Sequence, residues 1–161
     1  MKNATIRPAT PVDLQAMLAI LPRLAEFETP PRRNPDDLWQ GDARTLERWA
    51  AEGHDDLIVL VAEDEAAGVV GLALVRLQPE FMSGAPGAHL EAIAVAAIAD
   101  GHGLGRRLLA AAEEAAMARG AGSMTLHVFA NNERARSVYD RAGYSGELLR
   151  YVKHLDDQPD D

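Results

Sequence analysis

A glycine-rich turn carries the clearest chemical signal in the sequence. Every second residue from Gly101 to Gly105 is glycine, and the turn directly precedes the strongest predicted helix, residues 104–119. Glycine allows a positive φ and lets backbone N–H groups approach a ligand closely. The helix N-terminus adds unpaired N–H groups and a partial positive charge, and Arg106 and Arg107 add two full charges. The turn is therefore predicted to bind a phosphate or diphosphate, with a strand-to-helix turn that binds no ligand as the alternative.

The spacing of the glycines excludes two common phosphate-binding loops. The dinucleotide fingerprint G-x-G-x-x-G needs a glycine at position 106 or 108, where this chain has Arg106 and Leu108. The P-loop needs the triplet G-K-[ST], which the sequence lacks. The turn must therefore be of another kind.

A second group of residues has the spacing to face one ligand. Asn132, Ala135 and Tyr139 follow one another at i, i+3 and i+7, which is one face of a helix. This spacing is compatible with Asn132 and Tyr139 contacting the same ligand. A tyrosine that packs in the core of an amphipathic helix is the alternative.

A carboxylate also occurs within an otherwise apolar predicted strand, residues 89–95. Strict alternation predicts that His89, Glu91, Ile93 and Val95 share one face of the sheet. A carboxylate on a closed sheet face is costly unless it is paired, whereas one that faces a substrate cleft is not. Glu91 is therefore a candidate acid–base group, with an ion pair to a neighbouring arginine as the alternative.

The surrounding sequence predicts an α/β (α+β) domain in which a mixed sheet carries helices on its faces. Hydrophobic periodicity and turn residues predict these elements: a strand over 5–7, a helix from the Thr10 N-cap to about Glu28 with a kink or a break at Pro22, a helix over 45–50, a hairpin of strands 57–62 and 69–77, a loop over 78–88, a strand over 89–95, a helix over 104–119, a strand over 124–129, a helix over 132–142 and a closing strand over 149–155. The crossover through helix 104–119 should create one parallel strand pair.

Length and charge restrict the function further. The 161 residues suffice for one domain, predicted over residues 1–155, and the acidic end, residues 156–161, is expected to fray. The formal charge of −9 argues against a nucleic-acid partner, which would need a basic surface. The sequence has no cysteine, no metal-ligand spacing among its five histidines, no membrane-spanning run and no signal peptide. We therefore expect a cytoplasmic protein with no metal, nucleic-acid or membrane partner.

Three motifs, in the right order, resemble the GNAT superfamily of N-acetyltransferases over about residues 5–155. The glycine turn resembles that family's acetyl-CoA loop, and residues 89–95 resemble its fourth strand. Residues 131–144 resemble its Asn-x-x-Ala-x-x-x-Tyr-x-x-x-Gly-[Phe/Tyr] segment. The resemblance implies a mostly antiparallel sheet with one parallel, splayed strand pair, and acetyl-CoA as the co-substrate wedged between those two strands.

The resemblance also implies which residues hold acetyl-CoA. Backbone groups of Ile93, Ala94 and Val95 would pair with the pantetheine arm, and a strand N–H would polarise the thioester carbonyl. Asn132 would hold the cofactor from the last helix. The turn residues implied to cradle the pyrophosphate are Gly101, His102, Gly103, Leu104, Gly105 and Arg106.

The implied reaction is direct attack of a primary amine on the acetyl thioester in a ternary complex. An alkylammonium has a pKa near ~10.4 and no free lone pair, so a base or a water relay must remove its proton. Glu91 is the candidate for this role. Tyr139 matches the family tyrosine that gives a proton to the departing thiolate.

Shorter segments resemble the diamine (spermidine/spermine-like) acetyltransferase branch. Residues 24–28 contain Phe27 and Glu28 at the positions of that branch's substrate-contacting pair, and Glu28 with Glu91 would bind a polycationic amine. The expected acceptor is therefore a small amine, polyamine or amino-acid-like. A protein or peptide acceptor and a non-catalytic CoA-binding member of the fold are the alternatives, and the family implies a homodimer.

One residue of the turn departs from the family pattern. Asp100 stands where the family usually has Arg or Gln. A carboxylate beside a pyrophosphate is unfavourable unless it points away or caps the helix. The sequence therefore predicts that Asp100→Arg tightens acetyl-CoA binding.

Overall fold

The fold is built on one five-stranded mixed sheet. The computed structural model describes residue 1 and residues 3–156. The strands are β1 (Thr5–Pro8), β2 (Leu57–Asp64), β3 (Gly68–Pro79), β4 (Pro86–Val95) and β5 (Met124–Leu126), and their order in the sheet is the order in the chain. Neighbours from β1 to β4 are antiparallel, and β4 with β5 is the one parallel pair. The predicted fold class is confirmed.

The helices cover both faces of this sheet and divide the core in two. They are α1 (Leu14–Ile20), α2 (Gln40–Glu52), α3 (Leu104–Ala118) and α4 (Glu133–Arg141). On one face, leucines of α3 and alternate residues of β2 to β4 form the first cluster, named here the α3-side core. On the other face, residues of α1 and α2 pack on the intervening strand positions and form the α1/α2-side core. Strand alternation therefore divides the apolar residues of β2, and those of β3 over 72–75, between the two cores, whereas in β4 the alternation shifts by one residue between Leu90 and Ala92.

The first helix is shorter than predicted. α1 ends at Ile20 and continues as a 3₁₀ turn over Leu21–Ala25, so the predicted helix does not reach Glu28. Pro22 lies at the start of that turn and has no N–H to continue the α-helical ladder, which explains the change. The turn carries the chain across the end of the sheet where the carboxyl end of β4 lies.

The strands also differ from the prediction at three places. The β3–β4 hairpin extends to Pro79 and Pro86, so the predicted loop over 78–88 shrinks to residues 80–85. β5 ends at Leu126 rather than at residue 129, because the chain leaves the sheet there. The predicted closing strand over 149–155 does not form: Leu149 and Leu155 are 78% and 85% exposed, so no burial compensates the cost of ordering it. Asp156 pairs with Arg32, and the rest of the predicted acidic tail lies outside the described residues.

Candidate active site

The sheet opens between its two parallel strands. β4 and β5 pair over only three positions, the last of which joins Leu90 to Leu126, and beyond them β4 has no neighbour on that side. The carbonyl of Ala94 faces Gly71 on β3. Because successive residues of a strand direct their backbone groups to opposite sides, the N–H and C=O groups of Ile93 and Val95 face the open side. An extended ligand can therefore add to this edge as a further strand would.

A β-bulge at Glu91 changes which side chains face each core. Val75 pairs with Leu90 and Leu74 pairs with Ala92, so Glu91 is an extra residue with no partner on β3. Beyond it, Ile93 packs on the α3-side core whereas Ala92 lies in the α1/α2-side core. The prediction that Glu91 shares a face with Ile93 and Val95 is therefore wrong, because it assumed strict alternation.

Glu91 lies in a small charged cluster on the α1/α2 face. Its Oε1 accepts a hydrogen bond from Arg76 Nε at 2.6 Å, and both side chains are largely buried. The ion pair with a neighbouring arginine, which the sequence left as the alternative for Glu91, is therefore present. Asp42, in the first turn of α2, is half-buried nearby. Burial, together with the negative charge of Glu91, raises the pKa of Asp42 to about 7, and the positive charge of Arg76 opposes that rise. No spacing in the sequence links position 42 to position 91, so the sequence alone does not predict Asp42 as a site residue.

Two histidines lie where the parallel strands separate. His89 Nδ1 is 2.8 Å from Thr125 Oγ1 across the β4–β5 pair, and the rings of His89 and His127 are 4.7 Å apart. Burial, and after it the proximity of His127, lowers the pKa of His89, so its ring is neutral at pH 7. The two histidines are therefore polar groups at the point where the opening begins.

The glycine turn has the geometry of an anion-binding loop. Gly101 and Gly103 have φ of 78° and 72°, and nothing lies within 4 Å of the position that a Cβ would take at either residue. Gly103 is the N-cap of α3 and supplies no side-chain cap, and the first intrahelical bond runs from Arg107 N to Gly103 O at 3.2 Å. The amides of residues 103–106 therefore lack intrahelical partners, as a diphosphate site requires.

Side chains around this turn play different parts. Leu104 is buried in the α3-side core, so only its backbone is available to a ligand. Arg106 is exposed and, with Arg141, lines a cavity of about 460 Å³ beside the turn. Arg107 donates to the carbonyl of Ala4 at 2.6 Å and holds the N-terminal segment. Arg106 is thus the arginine of this turn that remains available to an anion.

Asp100 is paired rather than exposed to the ligand as a lone charge. Arg23, from the 3₁₀ turn after α1, forms an ion pair with Asp100, and Arg134 lies 3.6 Å from its other oxygen. The same Arg23 donates from Nε to the carbonyl of Val95 at 3.0 Å. Arg23 therefore joins the end of β4 to the glycine turn and balances the charge that the sequence analysis found unfavourable.

The last helix places its two candidate residues beside the opening. Asn132 is the N-cap of α4, and its Oδ1 accepts a hydrogen bond from Ala135 N at 3.3 Å. Tyr139 packs on the α3-side core with its ring edge-on to Tyr144, at 5.9 Å between centroids. Burial raises the pKa of the Tyr139 phenol, so it is protonated at neutral pH. Tyr144 was not among the predicted residues; its hydroxyl is buried without a partner within the described part of the chain.

The segment after the 3₁₀ turn reaches the same end of the sheet. The Phe27 ring lies 5.6 Å from that of Phe129, and Asn131 Nδ2 donates to the carbonyl of Glu28 at 2.5 Å. The Glu28 side chain is exposed. The structure thus brings Phe27 and Glu28 to the chain that follows β5, and among the described residues no contact joins Glu28 to Glu91.

Taken together, these features define an α+β protein in which one strand has a free edge and a glycine turn presents unpaired amides at the start of a helix. A protonated phenol packs on the α3 side of the sheet, and a charged cluster of two carboxyls and one guanidinium lies on the α1/α2 side. Within residues 1 and 3–156, no three His, Asp or Glu side chains group to hold a metal ion. No helix in that part is long and apolar enough to cross a membrane.

Comparison with known families identifies the class. The profile of the acetyltransferase (GNAT) family matches residues 20–144, which is most of the chain. The chain belongs to the GNAT acetyltransferase family, and it is an acetyltransferase that uses acetyl-CoA as co-substrate. A search of curated protein sequences gives no significant match.

Solved structures with this fold span almost the whole chain. A transcriptional regulator from Bacillus halodurans C-125 has a TM-score of 0.71 at 22% identity, covering 95% of this chain and 100% of that one. A ribosomal-protein-alanine N-acetyltransferase from Brucella melitensis biovar Abortus 2308 has a TM-score of 0.68 at 19% identity, with coverages of 94% and 99%. AAC(6')-Iy, in complex with the bisubstrate analogue CoA-S-monomethyl-acetylneamine, has a TM-score of 0.70 at 19% identity, with coverages of 95% and 99%. At these identities the likeness shows the fold alone.

Proposed function

We propose that the protein transfers the acetyl group of acetyl-CoA to a primary amine of a small cationic molecule, polyamine or amino-acid-like. The observation that carries this proposal is the position of Glu91, a carboxylate that the bulge adds to β4 immediately before the free edge. A cationic amine is attracted to this carboxylate and to the net charge of −9.

Different residues around the opening would bind different parts of acetyl-CoA. The N–H and C=O groups of Ile93 and the N–H of Val95 would pair with the pantetheine arm, with Ala94 between them in the strand. The Val95 carbonyl already accepts a hydrogen bond from Arg23. Asn132 would contact it from α4. The turn residues proposed to hold the diphosphate are Gly101, His102, Gly103, Leu104, Gly105 and Arg106. Bound there, acetyl-CoA supplies an activated thioester, and a β4 N–H would polarise its carbonyl.

Two side chains are proposed to handle protons. Tyr139, whose raised pKa keeps the phenol protonated, would give its proton to the departing thiolate. Glu91 would receive the acceptor ammonium and assist removal of its proton, directly or through water. Phe27 and Glu28 would contact the rest of the acceptor, as in the diamine branch, since they pack at the carboxyl end of β5.

A direct assay of acetyl transfer determines which class of acceptor the protein uses. Acetyl-CoA consumption, read as free thiol, should be measured with polyamines, thialysine-like amino acids, aminoglycosides and peptides. The protein has no cysteine, so the thiol readout has no background from the chain. We expect release with polyamines and a loss of kcat/KM of about two- to fivefold in Glu28→Gln, because one exposed charge contact is removed.

The other outcomes of the assay point to different functions. Release with peptides alone would favour a protein or peptide acceptor, the activity named for the Brucella structure. Release with aminoglycosides alone would keep a small-molecule acceptor and remove Phe27 and Glu28 from the site. Tight acetyl-CoA binding without turnover in any arm would favour a non-catalytic CoA-binding protein. Asp37→Asn, an exposed charge change outside the opening, is the matched control.

The same proposal includes the organisation of the protein. Residues 1–155 are proposed to act as one domain, in the cytoplasm, and as a homodimer. The exposed apolar side chains after Tyr144 support the dimer, because a contiguous apolar surface favours association.

A further inference from the structure

Asp42 is a carboxyl group that the proposed reaction leaves unused. It lies in the first turn of α2 and is half-buried, and within the described residues it forms no ion pair and accepts no side-chain hydrogen bond. Ala43, the next residue of α2, and Ala92, the next residue of β4 after Glu91, are buried in the same α1/α2-side core, so the packing of α2 brings Asp42 to the bulge. The charged groups that face Asp42 there are Glu91 and, on β3, Arg76. The cluster therefore contains two carboxyls and one guanidinium.

Arg76 makes the two carboxyls unequal. Its Nε donates to Glu91 Oε1 at 2.6 Å, so Glu91 has a fixed cationic partner that Asp42 lacks. Two neighbouring carboxyls that are partly removed from water hold one proton more easily than two negative charges. The proton belongs on Asp42, whose pKa is raised to about 7 by burial and by the charge of Glu91. His89 lies near Glu91 and is neutral at pH 7, so it adds no charge.

We propose that Asp42 accepts the proton of the acceptor ammonium, while Glu91, held by Arg76, is the fixed anion that positions that ammonium. The proposal rests on the N-acetyltransferase function proposed above. A base whose pKa lies near the working pH is well matched to this task, because it is ionised often enough to act and basic enough to hold the proton.

The proton balance is complete without any further reactant. An N–H bond of the ammonium breaks and an O–H bond forms on Asp42, which leaves the lone pair on nitrogen. As that nitrogen forms the C–N bond, the C–S bond breaks, and the thiolate leaves with its electron pair and takes the phenolic proton of Tyr139. The second amine proton and the proton on Asp42 pass to water, and the Tyr139 phenolate takes one proton back from water, so the turnover releases one proton in all.

The fold places the two proton-handling groups on different faces of the sheet. Asp42 and Glu91 lie on the α1/α2 face, whereas Tyr139 packs on the α3-side core. In the tetrahedral adduct the acceptor nitrogen loses protons and the departing sulfur gains one, so separate groups for these two transfers suit this arrangement.

The pH dependence of kcat/KM tests the role of Asp42. With the alkylamine that the acceptor panel identifies, the wild type should show a rise in kcat/KM with an apparent pKa near 7, as Asp42 loses its proton. Asp42→Asn should abolish this rise and lower kcat/KM at pH 8 by about 100-fold, as loss of a general base does. Glu91→Gln should move the rise to lower pH, because removing the neighbouring negative charge makes Asp42 more acidic. Glu47→Gln is an exposed charge change on the same helix. It should change neither the pH at which kcat/KM rises nor the value of kcat/KM at pH 8.

Two results would overturn the proposal. Persistence of the rise in Asp42→Asn would show that another group accepts the proton. An unmoved rise in Glu91→Gln would show that the two carboxyls do not act as a pair. Asp42→Asn should also melt at or above the wild-type temperature at pH 8, because it removes a buried charge. That measurement separates a catalytic loss from a folding defect.

A titration of the carboxyl carbons by ¹³C NMR separates this proposal from the proposed function. In the resting protein without acceptor, the Asp42 carboxyl should titrate near neutral pH, and in Glu91→Gln it should titrate at lower pH. Titration in the ordinary aspartate range would overturn the carboxyl pair even in an active enzyme. Absence of acetyl-CoA binding by calorimetry would instead overturn the proposed function, and with it the catalytic role of Asp42.

Discussion

Tyr139 is held in place by packing, and within residues 1 and 3–156 its hydroxyl makes no hydrogen bond. Its ring lies edge-on to Tyr144 against the α3-side core, and burial keeps the phenol protonated. We expect Tyr139→Phe to lower kcat by about 100-fold, the usual contribution of a positioned general acid, with acetyl-CoA affinity unchanged. Steady-state kinetics and calorimetry measure the two effects. Tyr151→Phe, at an 87% exposed position, is the control, and an equal loss there or an unchanged kcat in Tyr139→Phe would contradict the assignment.

The sequence predicts candidate site residues where a short local pattern relates them to one another. Asn132 and Tyr139 share one short helix, so their spacing was enough to place them together. Asp42 and Arg23 reach the site from elements far away in the chain, and no local pattern relates them to β4. The cluster around Glu91 could therefore not be predicted without the tertiary structure.

Among the elements, β1 and the start of α1 are joined by one buried carboxylate. Asp13 is 7% exposed; it accepts two hydrogen bonds from Arg7, each of 2.9 Å, and one from the Thr10 N–H at 2.8 Å. We expect Asp13→Asn to lower the free energy of unfolding at pH 7 by about 3 kcal/mol, because it breaks a buried ion pair. Urea unfolding measures this loss, and Asp37→Asn should leave the free energy unchanged.

The same ion pair makes the free energy of unfolding depend on pH in the acid range. The hydrogen bonds from Arg7 hold the pKa of Asp13 below its usual range. A carboxyl with a lowered pKa stabilises the fold above its unfolded-state pKa, near ~3.9, and loses that contribution as the pH falls through its folded-state pKa. The difference between wild type and Asp13→Asn should therefore shrink below about pH 4. A difference that stays constant down to pH 2 would contradict the linkage.

The glycine turn needs a different variant from the one that the sequence suggests. Arg23 and Arg134 already flank Asp100, so Asp100→Arg would place a third like charge between them. Asp100→Asn removes the negative charge alone, and we expect it to tighten acetyl-CoA binding by about fivefold, or roughly 1 kcal/mol of Coulomb energy near a surface. Calorimetry at low and high salt measures this change, with Glu65→Gln as the control. Weaker binding would show instead that Asp100 matters as the anchor of the turn.

The elements themselves were predictable to different degrees. The hairpin of β2 and β3, β4 and α3 follow from long local patterns, and they form close to the predicted bounds. The bulge in β4 leaves no local signal, because one extra residue among apolar neighbours looks like ordinary alternation. The segment over 149–155 has strand-forming residues but pairs with no strand among the described residues, and residue preference alone does not order it.

For the molecule as a whole, the open edge of β5 and the apolar segment after Tyr144 bear on the proposed homodimer. β5 is the last strand of the sheet, and Leu149, Tyr151 and Leu155 are exposed. Unpaired strand edges and exposed apolar residues both favour association with a second copy. We expect light scattering to show a dimer, and the double variant Leu149→Asp with Leu155→Asp to be monomeric.

A comparable substitution elsewhere on the surface distinguishes a specific dimer from nonspecific hydrophobic association. Met117 is also exposed and apolar, but it lies on α3, away from that segment. Met117→Asp should leave the dimer intact. A monomeric wild type, or a dimer that survives the double substitution, would contradict the proposed interface.

The bulge at Glu91 has a consequence for how the sheet tolerates the loss of a residue. Deleting one residue from a paired strand normally transfers every following side chain to the wrong face. Deleting Glu91 would do the opposite: Leu90 and Ala92 would become regular neighbours with their present partners on β3, and Ile93 and Val95 would keep their present core. The chain could therefore dispense with Glu91 and still build its sheet. The sheet register therefore does not require a residue at position 91, and deleting Glu91 would test its proposed role without changing the pairing of its neighbours.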